Sequence, residues 1–185
     1  GFRKYLMIIL IFTLGNSTDA FLLVRAQSLG VPIALLPTIW VVLHVVKMAF
    51  SVPGGMLSDR LGRKRIIVTG WMVYALVYAG FAFASRQWHV WALFAAYGIY
   101  FGLTEGVEKA LVADLAPAHL RGSAFGLYHL TVGIGAFPAS LVFGLVWERL
   151  GAAAAFGMGA GLALLSSVML AMLREKKPRE MLINH

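Results

Sequence analysis

The chain has no cysteine among its 185 residues, and charged side chains make up only 13% of it. Without cysteine there is no disulfide framework, no thiolate metal site and no cysteine nucleophile. Acidic residues are scarce, eight against sixteen lysines and arginines. Catalytic patterns are missing as well: there is no H-E-x-x-H, no G-x-S-x-G elbow and no dinucleotide fingerprint. Lacking a Walker loop, the chain by itself does not read as an ATP-driven pump. No residue takes a catalytic role, no cofactor or metal is expected, and an intramembrane enzyme is the remotest reading.

What fills the chain instead is apolar surface. Hydrophobic residues make up 60%, whereas soluble domains carry about a quarter charged residues. A soluble fold of this length could not hide so much, so the class is a polytopic helical membrane protein. The formal charge of +8 would raise nucleic-acid binding in a soluble protein. Here the cations sit between apolar runs and not along one basic face, so no nucleic-acid partner is expected. The first run has a basic start but is too long for a signal peptide and lacks a small-residue cleavage pattern; it reads as a retained helix.

A spanning helix needs about 20 mostly apolar residues, and six segments qualify. They run roughly over 5–27, 33–57, 66–84, 90–115, 123–147 and 152–173, leaving a basic tail over 174–185. Short connections predict that successive helices are antiparallel neighbours. Lysine and arginine placement sets the orientation. With a cytoplasmic N-terminus the inside collects eleven cations and the outside only Arg86, Arg149 and Arg25. Both termini are therefore expected inside, with Trp88, Trp91 and Trp147 as an outer aromatic belt. The third and sixth helices lack ionisable groups other than tyrosine, which predicts that they are peripheral and that the first and fourth are central. A three-helix period in this pattern suggests two three-helix units. Small residues four apart, Gly122 and Gly126, Ala136, Ser140 and Gly144, and Gly157 and Gly161, predict close helix packing, with Pro138 as a candidate bend.

Ionisable groups inside hydrocarbon are costly and nearly always face protein or a water-filled cavity. On the first helix Asn16 and Asp19 are three apart and would share a face. On the second, Trp40, His44, Lys47 and Ser51 form one stripe. Asp19 and Lys47 fall at similar depth, which fits either an interhelical salt bridge or a substrate role. On the fourth, Glu105 and Lys109 are spaced to pair, and Glu108 points elsewhere, on a face shared with Tyr97, Phe101 and Thr104. His129 enters on the fifth. Asp19, Glu105 and Glu108, withdrawn from water, are candidate proton carriers, with His129 next. The alternative is that Glu105 and Glu108 are solvated or paired near the inner mouth.

The densest charge lies between the second and third helices, in Gly55-Met-Leu-Ser-Asp59-Arg60-Leu-Gly62-Arg63-Lys64-Arg65. A glycine at position 62 suits a tight turn. This G-x-x-x-D-R-x-G-R-K pattern resembles the loop signature of the major facilitator superfamily of secondary transporters. Asp114-Leu-Ala-Pro117-Ala-His-Leu-Arg121-Gly122 is similar to the same family's D-x-x-P-x-x-x-R-G junction. The resemblance implies a charge relay at the cytoplasmic mouth. Asp59 would pair with Arg63 and accept bonds from the start of the fifth helix, and Asp114 would join through Arg63 or Arg121. The competing reading, that the cations only set topology, leaves Asp59 and the glycine spacing unexplained.

Family members usually have twelve helices, and this chain has six, most resembling the C-terminal half. The expected fold is an all-α membrane bundle of six helices in two three-helix repeats, half of that family's fold. The expected function is alternating-access transport of a small solute or drug, coupled to protons, in a bacterial-type inner membrane. The expected partners are the substrate, lipid, and an N-terminal half or a second copy. The alternatives are a half-size homodimeric transporter or channel, or a non-transporting membrane module.

Overall fold

The computed structural model describes residues 1–16 and 18–173, so the expected basic tail lies outside the described residues. Among the described residues seven α-helices form six spans: α1 Phe2–Gly15 and α2 Ala20–Ser28 share the first, then come α3 Leu36–Leu61, α4 Arg63–Phe83, α5 Gln87–Leu115, α6 Arg121–Leu150 and α7 Ala152–Met172. Each span is long and apolar enough to cross a membrane. In hydrocarbon a helix satisfies its backbone internally, which is why the apolar runs take this form. Pro37 starts α3 at a position that tolerates a missing N–H. Gly62 and Gly151 turn the chain into α4 and α7 with φ of 94° and 88°, a backbone region closed to most side chains.

The first span is broken where a single helix was expected. Asn16 and Thr18 belong to residue types that compete with the backbone for hydrogen bonds and are poor helix formers. The freed Gly15 carbonyl instead accepts the Tyr74 hydroxyl at 3.0 Å. Asn16 and Asp19 therefore do not share a helical face.

Helix pairing does not follow chain order. The main partners are α3 with α5, α4 with α7, and α1 with α6 and α7, while α4 also packs on α5. Exchanging the first three spans for the last three maps second-on-fourth onto fifth-on-first and leaves third-on-sixth in place, the pattern of two three-helix units. The expected side-by-side arrangement of successive helices holds for α4 with α5 and α6 with α7, but the largest contact, α3 with α5, skips a span because the two units interleave.

The expected periphery is also overturned. Within this chain α4 is the most enclosed span, while α3 and α6 are the most open. Trp71, Tyr74, Tyr78 and Phe81 of α4 are fully buried. Trp71 stacks on Phe12 with centroids 4.3 Å apart, and Phe81 on Phe156 at 5.4 Å. Absence of charge goes with an aromatic core on α4 and α7, although the same helices also expose Leu76, Phe83, Val168 and Met172. Of the small residues expected to pack closely, Gly144 meets Phe21, a Cβ there lying 3.3 Å from its ring, but the tightest approaches come from others. A Cβ on Gly98 of α5 would lie 2.6 Å from the Leu43 carbonyl oxygen of α3. By contrast Gly122, Gly126, Gly157 and Gly161 have nothing within 4 Å of such a Cβ.

Candidate functional site

The basic turn ties three helices at one end of the bundle. Asp59 in the last turn of α3 meets Arg63 in the first turn of α4, Oδ1 to Nη1 3.4 Å. Arg63 also forms an ion pair through Nε with Asp114 near the end of α5. Gly62 allows Arg63 to fold back toward both. Gly55 lines a cavity of about 360 Å³ beside this cluster, with Ser51, Asp59, Arg63, Glu105 and Lys109. Lys64 stands apart, donating to the Leu173 carbonyl at 2.6 Å. Among the described residues no ion pair reaches Arg60 or Arg121, and no hydrogen bond joins Asp59 to α6. The Asp59 carboxylate turns to Arg63, so the link expected to the fifth helix is absent.

Deeper in the bundle a second charge cluster crosses from α3 to α5. Lys47 forms an ion pair with Glu105, and Lys109 reaches Glu105 Oε1 at 3.3 Å. The Lys47 ammonium also lies 5.0 Å from the centre of the Phe101 ring, a favourable cation–π distance. Asp19 does not pair with Lys47: it accepts the Tyr97 hydroxyl at 2.9 Å. The break in the first span turns Asp19 toward α5, and Lys47 finds the nearer carboxylate. His44 and Ser51 bond the carbonyls of Trp40 and Lys47, at 2.9 and 2.7 Å, within their own stripe.

Among the described residues Glu108 is the buried carboxylate, only 9% exposed. Trp71 of α4 donates to its Oε1 at 2.8 Å, and Tyr128 of α6 donates to its Oε2 at 2.9 Å. Three helices thus converge on one side chain. The Tyr5 hydroxyl, buried and within electrostatic reach of Glu108 and Tyr128, has no hydrogen-bond partner among the described residues. A cavity of about 250 Å³ opens beside Glu108, lined also by Asn16, Phe101, Thr104, Lys109 and His129. Tyr97 does not reach it, so the face expected for Tyr97, Phe101 and Thr104 is divided. Glu105 lines both this cavity and the one at the basic turn. Trp71 and Tyr128 join the site through the polar tip of an aromatic side chain, a signal that charge and helical spacing do not carry.

Residues 5–184 match the family model of the Major Facilitator Superfamily. An uncharacterized MFS-type transporter of Methanocaldococcus jannaschii is 35% identical over 178 residues, covering 91% of this chain and 44% of the relative. Multidrug resistance protein MdtH of Yersinia enterocolitica is 32% identical over 99 residues, covering 54% of this chain and 25% of that protein. A crystal structure of the POT family transporter PepTSo shares the fold with a TM-score of 0.71 at 20% identity, covering 91% of this chain and 37% of that one. The chain thus spans less than half the length of these relatives. A match over nearly the whole chain, a six-span bundle of the same fold and the ion-paired basic turn agree: the chain belongs to the Major Facilitator Superfamily.

Proposed function

We infer that this chain is the C-terminal half of a proton-coupled transporter that moves a small solute or drug by alternating access. The observation that carries the reading is Glu108, a carboxylate enclosed by α4, α5 and α6 at the wall of a cavity that Lys109 and His129 also line. An ionisable group at membrane depth is expensive and is retained for ion or substrate pathways. Glu108 is the proton carrier in this reading. Asp19 and the Lys47–Glu105–Lys109 cluster set the charge of the path, with Asn16, His44 and His129 along it. The Asp59–Arg63–Asp114 cluster is the latch that holds one conformation and opens as the halves rock. Arg60, Lys64 and Arg121 flank it, and Gly55 and Gly62 shape it. The excess of lysine and arginine at that end favours a cytoplasmic location for it and for both termini, in a bacterial-type inner membrane. Drug transport is suggested by the name of the Yersinia relative.

The test is uptake by the full-length protein in proteoliposomes under an imposed pH gradient. Glu108→Gln should abolish gradient-driven uptake while leaving solute exchange without a gradient; gradient-driven uptake at the original rate would overturn the proton role. A second reading, a homodimer of this chain, is favoured by the open apolar faces of α3 and α6, where Met48 and Phe137 are 71% and 77% exposed. Cysteines at these positions would cross-link between two copies in that case, and not if another half covers them.

A further inference from the structure

At the basic end of the bundle a larger concavity, of about 1380 Å³, opens between the end of α3, the start of α4 and the end of α7. Arg60, Arg63, Lys64 and Arg65 line it, together with apolar side chains such as Val68 and Met172. Arg63 is neutralised by Asp59 and Asp114, and Lys64 is held on the Leu173 carbonyl. Arg60 and Arg65 are exposed, and no ion pair reaches either among the described residues. Among those residues Asp59 is the one carboxylate on this wall, and it is already turned to Arg63.

The surplus charge also runs against its local field. The first turn of α4 carries three cations and no acidic residue, at the helix end that disfavours cations and attracts anions. The latch accounts for Arg63 alone. The concavity also exceeds the roughly 300–1,000 Å³ usual for small-molecule sites, and one side of it is apolar. A free phosphate would use the cations and leave that side empty. An amphiphile with a negative head fits both, and the site lies at the end of membrane-spanning helices.

We propose that this concavity binds the phosphodiester headgroup of an anionic phospholipid, with acyl chains running along Val68 and Met172. Arg60 and Arg65 donate charge-assisted hydrogen bonds to the phosphate oxygens, and the bound lipid supplies the counter-charge that the start of α4 lacks. The site is separate from the cavity beside Glu108 and does not depend on proton coupling.

Native mass spectrometry of the purified protein, titrated with phosphatidylglycerol, phosphatidylcholine or inorganic phosphate, tests this. Phosphatidylglycerol should be retained in preference to phosphatidylcholine. Arg65→Gln should weaken its retention about fivefold, the worth of one cation near a membrane surface. Arg65→Lys should restore most of it, and Arg149→Gln at the opposite end should change nothing. Arg65 is exposed, so these variants lose no packing. Equal retention of both lipids, an unchanged affinity in Arg65→Gln, or displacement of the lipid by an equal concentration of inorganic phosphate would each overturn the proposal.

Discussion

Replacing Trp71 with phenylalanine removes one bond at the centre of the site together with part of a fully buried ring, and a double-mutant cycle with Glu108→Gln separates the two. The ring stack on Phe12 is kept, since a phenylalanine still offers an aromatic face at the 4.3 Å spacing, while the 2.8 Å bond to Glu108 Oε1 is lost. Hydrogen bonds to charged groups are worth about 1.5–3 kcal/mol in soluble proteins, but interhelical bonds measured in a membrane protein average about 0.6 and reach about 1.7. Glu108 is enclosed and its oxygen would be left without a donor, so the upper membrane figure, about 1.5 kcal/mol, applies. The same change in a Glu108→Gln background should cost less. A tryptophan N–H can only donate, so the amide oxygen must face Trp71 and the NH2 must face Tyr128, whose hydroxyl can accept. Both bonds survive in the Glu108→Gln variant, but the one to Trp71 now joins neutral groups, worth about half as much. Reversible unfolding in mixed micelles, run as a double-mutant cycle, should give a coupling energy near 0.7 kcal/mol, roughly half the worth of the charged bond, while the cavity left by the smaller ring cancels. A cost below about 0.3 kcal/mol for Trp71→Phe, or strictly additive effects, would refute the idea that Trp71 holds the carboxylate.

Gly98→Val should destabilise by about 3 kcal/mol, the upper end for overpacking, because the atoms it meets include the backbone of Leu43 and Lys47, which cannot rotate away; thermal unfolding reads this directly. Asp114→Asn should cost about 1 kcal/mol or less, as expected for a half-exposed ion pair, yet raise the accessibility of a cysteine placed at Ser51 in the adjoining cavity; unchanged labelling would separate Arg63 from gating. Gly126→Leu meets nothing within 4 Å in this chain, so a loss of about 1–3 kcal/mol in the full-length protein, with none for the equally open Gly157→Leu, would mean that a further helix packs on α6.

Spans and turn were legible because they rest on local rules. Apolar length predicts a crossing helix, and Gly62 between Leu61 and Arg63 predicts a reversal whichever helices lie nearby. The pairing of Arg63 with Asp114 was readable only through the family resemblance, since 51 positions separate the two. What the sequence hid is pairing across the bundle. Glu105 could meet Lys109 by helical spacing and did, but spacing is silent on Lys47, which enters from another helix. The break after Gly15 was hidden too. Asn16 to Thr18 are weak helix formers in an otherwise strong run, and the break is stabilised by Tyr74, 59 positions away. Charge content proved a poor guide to depth, because tryptophan and tyrosine bring polar atoms into a membrane core without any charge to betray them.

Those uncharged polar tips also divide the polar load of the bundle. Glu108 receives a donor at each oxygen from Trp71 and Tyr128 of this same chain, so it asks nothing of a partner, whereas Asp19 receives one, from Tyr97 at Oδ1. Lys47, Glu105 and Lys109 satisfy one another, yet their side chains stay 29–43% exposed, which in hydrocarbon would be unfavourable and in a water-filled path would not. The apolar faces of α3 and α6 flank that cluster and carry small as well as large residues. Lipid needs no small residues to pack against, whereas helices do. A second bundle laid across α3 and α6, as the proposed function requires, would therefore cover the apolar faces and enclose the Lys47–Glu105–Lys109 cluster in a shared, wettable cavity, with the Asp59–Arg63–Asp114 cluster at one end of it.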